Sequence, residues 1–387
     1  MFEEKVLNWQ NRIADNGRTG MEEMIRELEY KVSDLEEKIL KLQEENLSNK
    51  KGSDAMLKAI RELYEINRQM MIQLSKVVED QTSLDINMGV ARARCDNLPF
   101  ELLDPLLKRD SYRFPVIKDA DETLNEIIDH KKSIARFGDG EFSQIVKLDR
   151  HKFQKLDERL GERLKEVLYS HHPNMLIAIA NNYGSLQDFT DAAADAVRIY
   201  MANGNTRQQH MELLEHDRVY YDAYVSRPYV MYKDQMTEAP RKRFERLKDI
   251  WKGRSVIIVE GAQTRMGIGN DLLEGAGEIK RILAPAASSF DRYDDILKTS
   301  LEYAQKDTLF LIAMGPSAGV LAYDLTVEGY QAVDIGHLDL EYEWFLAGKG
   351  ERIPVPYKYN NEVEGGDMAE EIDDSVYEGQ IIADLQA

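Results

Sequence analysis

A single cysteine, Cys95, in 387 residues rules out a framework of internal disulfides, and the fold must rest on its packed core. That usage fits a reducing cytosol. The seven histidines are scattered, with His171 and His172 the only adjacent pair, so no Cys/His zinc cluster is available. No apolar run approaches the roughly 20 residues of a membrane span. The opening MFEEKVLNWQ lacks the basic-then-apolar layout of a signal peptide, and a cytoplasmic location is expected. Positive charge is in deficit, 50 Lys and Arg against 70 Asp and Glu, for a net charge of −20. Nucleic-acid binding runs on a surplus of cations, so it is not the expected activity.

Apolar side chains are plentiful, at 43%, enough for a sizeable core, while 31% charged residues point to a long solvated segment as well. Part of the acid is local. Residues 361–387 carry nine acids and no Lys or Arg, which predicts a disordered tail.

Residues 1–95 read as a coiled-coil oligomerisation region and linker. Ile25, Val32 and Ile39 fall at a, and Leu28, Leu35 and Leu42 at d, the arrangement that favours a parallel dimer. After a polar break the register resumes at Met56, Ile60, Leu63, Asn67, Met70, Leu74 and Val77. Preserved register favours one long rod; a helical hairpin turning at Gly52 is the alternative. Either form serves association, and a homodimer is expected.

Between residues 96 and 360 the texture changes. Expected strands at Ser133–Phe137, Met175–Ala180, Ser255–Glu260, Arg281–Ala284, Thr308–Met314 and Gln331–Ile335 alternate with amphipathic helices. Strands that are apolar on both faces and alternate with helices indicate an α/β fold with a mostly parallel, Rossmann-like sheet. In such a sheet ligands bind beyond the carboxyl ends of the strands.

Five segments bear on chemistry, four of them directly after an expected strand. RFGDGE, Arg136–Glu141, sets two carboxylates either side of a glycine. If the strand geometry continues, Asp139 and Glu141 point the same way and can reach one hard divalent cation. GAQTRMGIGNDLL, Gly261–Leu273, offers Arg265, Gly267 and Gly269 with Asn270 and Asp271, but lacks the third glycine of a dinucleotide fingerprint. GPSAGV, from Gly315, opens a helix whose free amides suit a phosphate. GHLDLEYEWF supplies His337, Asp339, Glu341 and Glu343 beside Tyr342 and Trp344, a dense source of general bases with an aromatic platform. RPYVMY, Arg227–Tyr232, reads either as a diphosphate clamp or as an edge strand.

Taken in order, RFGDGE, RPYVMY, VEGAQTRMGIGNDLL, GPSAGVLAYDL and AVDIGHLDLEYEWF resemble the bacterial GT-D glycosyltransferase family, over roughly residues 100 to 360. Ser317 and Gly319 stand where that family usually carries threonines. The resemblance implies a metal-dependent transferase that moves a hexose, glucose or galactose, from a UDP-sugar to a glycan acceptor on a surface glycoprotein or polysaccharide. It implies Mn2+ or Mg2+ on Asp139 and Glu141. It surrounds the donor with Arg136, Phe137, Gly138, Gly140, Arg227, Arg265, Gly267, Gly269, Asn270, Asp271, Gly315 and Ser317. Among His337, Asp339, Glu341 and Glu343, Glu341 is the first candidate base, because it can pair with His337 on a strand or a helix. The rival reading is a non-catalytic assembly protein that only binds a nucleotide sugar.

Overall fold

Nine short strands, almost all apolar, form one sheet in the order β1-β4-β3-β2-β8-β7-β5-β6-β9, with every neighbouring pair parallel. They are β1 (Val116–Ile117), β2 (Ser133–Phe137), β3 (Met175–Ile179), β4 (Val219–Asp222), β5 (Val256–Gly261), β6 (Ile279–Ala284), β7 (Leu309–Ala313), β8 (Gln331–Asp334) and β9 (Ile381–Asp384). The computed structural model describes residues 83, 85–97, 100–101, 114–148, 154–360, 362–366 and 369–386. The heptad segment from Met21 to Val77 lies outside them. Residues from Met88 onward make up one compact unit.

The strand chemistry explains the layering. MLIAI in β3 and LFLIA in β7 are buried at every position, as a parallel sheet covered by helices on both faces requires. The helices begin where their sequences offer caps. Asp119 accepts the Glu122 amide while Glu122 reaches back to the Asp119 amide, a capping box that opens the helix Ala120–Ile128. Asp157 accepts the Leu160 amide to start the helix Glu158–Leu168. The helix Ser317–Val327 lies against β2, with Gly319 facing Ala135: a Cβ there would stand 3.5 Å from that of Ala135, an ordinary contact.

All six expected strands are present within a residue or two of their expected ends. Two short ones, β1 and β4, extend the sheet beyond β3, and β9 closes its other edge. The acidic tail, expected to be disordered, therefore holds a helix, Ser375–Gln380, and that edge strand. The apolar residues Ile381, Ile382 and Ala383 pair with β6. RPYVMY is not an edge strand; it follows the short 3-10 turn Ala223–Ser226 as a loop, touching strand geometry only at the Phe189–Tyr232 bridge. At the other end, Arg94 holds Asp195 through two bonds of 2.8 and 2.6 Å, and Asn97 bonds the Arg198 carbonyl. The compact unit thus extends past both ends of the expected 96–360 domain.

The tail is anchored by a buried arginine. Arg281 of β6 donates to Glu260 of β5 at 2.6 Å, to the Met266 carbonyl at 2.9 Å and to Gln380 at 2.8 Å, beneath the ring of Tyr377. Glu260 is fully buried and its second oxygen accepts the Met266 amide. Truncating the arginine alone strands a carboxylate in the core. Arg281→Met should cost about 3–5 kcal/mol in urea unfolding, while adding Glu260→Leu should restore most of it. A double variant no more stable than the single one would remove the ion pair from this role.

Candidate active site

The parallel strands all end on one side, and a cavity of about 810 Å³ opens there beyond β2, β3, β4, β7 and β8. β2 and β8 are neighbours in the sheet but come from opposite ends of the domain, so the cavity sits where the strand order reverses. Arg136 spans that junction. It donates from its side chain to the Asp334 carbonyl at 2.9 Å and to Asp334 Oδ1 at 2.7 Å, and its own amide bonds Oδ2 at 3.3 Å. Gly336 closes over it with φ +44°, and a Cβ at that position would lie 2.1 Å from the guanidinium, so no other residue fits.

Asp139 and Glu141 are both on the cavity wall, but not as a strand-end pair. A helix, Asp139–Ile145, begins at once, so the two acids occupy its first turn, two residues apart, rather than one face of a strand. Asp139 is exposed to the cavity. Glu141 turns back and accepts the Gly138 amide at 2.7 Å. Burial pushes its carboxyl up to about 7, against the opposing pull of that amide. Gly140 faces Pro316, whose Cγ would lie 3.3 Å from an added Cβ, and Gly315 turns with φ +68° beside it. The two glycine loops therefore press together at the mouth.

The acidic segment after β8 is sorted by the helix Leu338–Leu346. His337 stands at its start and lines the cavity, next to Arg227, which lies 3.2 Å from its Nδ1. An arginine only donates, so Nδ1 accepts and the ring proton sits on Nε2. Burial pulls this imidazole down to about 4, and at neutral pH it is an uncharged donor toward the cavity. Asp339 also reaches the cavity wall, but its oxygens are taken: Gly267 amide and Asn270 at 2.9 Å each, and Lys358 at 2.5 Å. Glu343 is held by the same Lys358 at 2.8 Å, by Asn270 at 2.8 Å and by Tyr357 at 3.1 Å.

Glu341, the expected base, is fully buried and does not line the cavity. Its Oε2 accepts the amides of Tyr229 and Val230 at 3.1 and 3.0 Å, which pins the RPYVMY loop in place. It has no hydrogen bond to His337; Arg227 lies between them, 3.2 Å from His337 Nδ1 and 4.0 Å from Glu341 Oε1. Several other expected donor contacts are also off the cavity. Phe137 is a core side chain with no exposed surface. Ser317 is buried against Ser289 and the Met314 carbonyl, at 2.7 and 3.0 Å. Arg265 is bound to the carbonyls of Tyr357 and Glu370. Gly267 and Gly269 shape the turn that carries Asn270, and Asp271 pairs with Lys248 and Tyr342. Arg136, Gly138, Gly140, Arg227 and Gly315 do line the cavity, as expected.

Two residues at the cavity carry no motif in the sequence. Glu362 receives Arg227 through bonds of 3.0 and 2.5 Å, with Arg352 at 3.5 Å. Burial alone would raise this carboxyl, yet Arg227 and His337 together hold it well below the usual range. Lone charges in an irregular loop left no periodic signal.

Residues 134–363 match the family model described as the glycosyltransferase GT-D fold. The chain is 34% identical over 288 residues to the glycosyltransferase GlyD of Streptococcus pneumoniae, covering 73% of this chain and 34% of that protein. It is 35% identical over 269 residues to the probable glycosyl transferase Gly of Streptococcus gordonii, covering 68% of this chain and 38% of that one. The chain thus spans little more than a third of these curated relatives. Among solved structures, a glycosyltransferase of Streptococcus sanguinis containing domain of unknown function 1792 superposes with a TM-score of 0.65 at 31% identity, covering 70% of this chain and all of that one. The match over most of the compact unit, together with a parallel sheet and a cavity at its switch point, makes this chain a member of the bacterial GT-D glycosyltransferase family.

Proposed function

We propose that this glycosyltransferase moves a hexose from a UDP-sugar to a glycan acceptor, with a divalent cation held by Asp139 and Glu141. The observation that carries the reading is one cavity, beyond the carboxyl ends of parallel strands, lined by two carboxylates together with Arg136 and Arg227. The donor set fits a hard cation: both ligands are carboxylates. The described residues hold no group of three or more candidate ligands. Bound there, such a cation would neutralise the charge that grows on the departing diphosphate.

The chain's own groups do the rest. Asp139, at the first position of its helix, faces the cavity, while the Gly138 amide fixes one oxygen of Glu141. Arg227 supplies a fixed positive charge to the donor, and the Gly315 and Gly336 turns let the backbone approach it. His337 donates from Nε2 and so binds an oxygen rather than taking a proton. Asp339, Glu341 and Glu343 hold the loops around the site, Glu341 from beneath. The acceptor is a glycan of a surface glycoprotein or polysaccharide, and the heptad pattern of residues 21–84, which lies almost wholly outside the described residues, supports a parallel homodimer.

Asp139→Asn should lower transfer from UDP-glucose or UDP-galactose by about a hundredfold or more with the melting temperature unchanged. EDTA should abolish transfer by the unaltered protein and Mn2+ restore it. Transfer that survives both EDTA and the substitution removes the cation from the reaction.

Glu141 adds a pH dependence. Its carboxyl titrates near 7, so below that pH a proton occupies the group that the cation needs, and above it the charged form is free. Affinity for Mn2+ in the presence of UDP should therefore rise between pH 6 and pH 8, by up to about tenfold per unit below the midpoint. Glu141→Gln should bind more weakly and flatten the profile; an unflattened profile assigns the titration to another group.

A chain starting at Met88 should lose the dimer. Light scattering should give the mass of one shortened chain, and the mass of two shortened chains would place the interface within the compact unit.

A further inference from the structure

Arg227 sits between two carboxylates that it does not share equally. Above it, at the cavity, Glu362 takes both guanidinium nitrogens. Below it, Glu341 Oε1 is buried, lies 4.0 Å from the nearer nitrogen and has no hydrogen-bond partner. A fully buried carboxylate oxygen without a donor is costly, and it is rarely left so without cause. A cation lies just out of hydrogen-bond reach, drawn toward the cavity side by Glu362. The same carboxylate of Glu362 is flanked by Arg352 at 3.5 Å and by His337 Nε2 at 3.9 Å. Two guanidiniums and an Nε2 proton around one carboxylate make a site for an oxyanion, and a phosphate presents the same charge and acceptor geometry.

We propose that Arg227, Arg352 and His337 form an anion subsite that takes a donor phosphate, and that Glu362 is its built-in occupant. The inference rests on the UDP-sugar reading above for the identity of the anion. In the resting chain two arginines face two carboxylates, Glu341 and Glu362, and the cluster is neutral. When Glu362 leaves, Arg227 remains compensated by Glu341 and is free to close the 4.0 Å gap, while Arg352 keeps one uncompensated positive charge for the incoming phosphate. Glu341 therefore keeps the arginine charged and in place while its partner above is exchanged. Donor binding and release of the Glu362 loop become one event.

The alternative is that Glu362 simply holds Arg227 ready, and the two ideas predict opposite signs. UDP with Mn2+, and separately inorganic pyrophosphate, are titrated calorimetrically into the full chain and into Glu362→Gln. If Glu362 is a competitor, removing its charge should tighten both ligands by about tenfold. Glu351→Gln changes the same net charge on the same cavity outside the cluster and should give a much smaller gain. Arg352→Ala should weaken pyrophosphate in the Glu362→Gln background. Unchanged or weaker binding in Glu362→Gln, with an unaltered melting curve, overturns the proposal, and so does an equal gain from Glu351→Gln. A chain that binds pyrophosphate more tightly after Glu362→Gln but never binds UDP keeps the subsite and loses the UDP reading. A chain that binds UDP but gains nothing keeps that reading and loses the subsite.

Discussion

The ion pair between Arg136 and Asp334 is the constraint on which the rest of the cavity depends. β2 and β8 share one backbone register pair, Ile134 with Val333, so the ladder alone joins the two halves of the sheet weakly. At the carboxyl end Arg136 adds its side chain and its amide, all directed at Asp334, while at the other end Ser133 Oγ accepts the Ala332 amide at 2.9 Å. The side chains are 16% and 5% exposed, so the bonds form in a medium where their loss would leave unpaired charge. The helices Asp139–Ile145 and Leu338–Leu346 start just beyond this pair, and Arg136 itself lines the cavity. The turn that carries Asp139 and Glu141 leaves β2 on one side of it, and the Gly336 turn that carries His337 leaves β8 on the other. One guanidinium therefore sets the distance between the acidic wall and the histidine wall.

Gly336 is the local consequence. Its α-carbon lies so near the guanidinium that a side chain would displace the arginine from Asp334. That constraint is written in the sequence only as one glycine after a strand, which is too common to read by itself. The strands were legible because parallel strands buried on both faces are rich in apolar residues: β3 and β7 are apolar throughout, and β2, β5, β6 and β8 keep an apolar core around a few polar positions. β1 and β4 were not, being two and four residues long with exposed positions. β9 was hidden by its surroundings: three apolar residues at the end of an acid-rich segment carry no strand signature until β6 offers an edge.

The same limits hold at the site. Asp139 and Glu141 were found as an acid pair at a strand end, but their geometry depended on whether the chain continued extended or turned into a helix. A glycine and a capping glutamate decided for the helix, and Glu141 became the group that closes its first turn. Lys358, fully buried between Asp339 and Glu343, and Glu362, set against Arg227, gave no advance sign because each meets its partner only after the chain has returned across the sheet.

The acidic run LDLEYEWF shows why a concentration of ionisable residues need not mark a catalytic base. The period of 3.6 places Asp339 and Glu343 on one face and Glu341 on another. The first face captures Lys358 and Asn270, and through Asp339 also the Gly267 amide, so it fixes the turn after β5. The other face accepts the amides of Tyr229 and Val230 and fixes the loop after β4. A single helix thus positions two loops that border the cavity from opposite sides of the sheet's midline, using carboxylates because each must satisfy donors in a dry interior. Glu341 keeps a buried oxygen without a hydrogen-bond partner, and that oxygen faces Arg227, the cation shared with the cavity. The residues that looked most reactive are the frame, and Asp139, Glu141, Arg227 and His337 line the cavity that the frame surrounds.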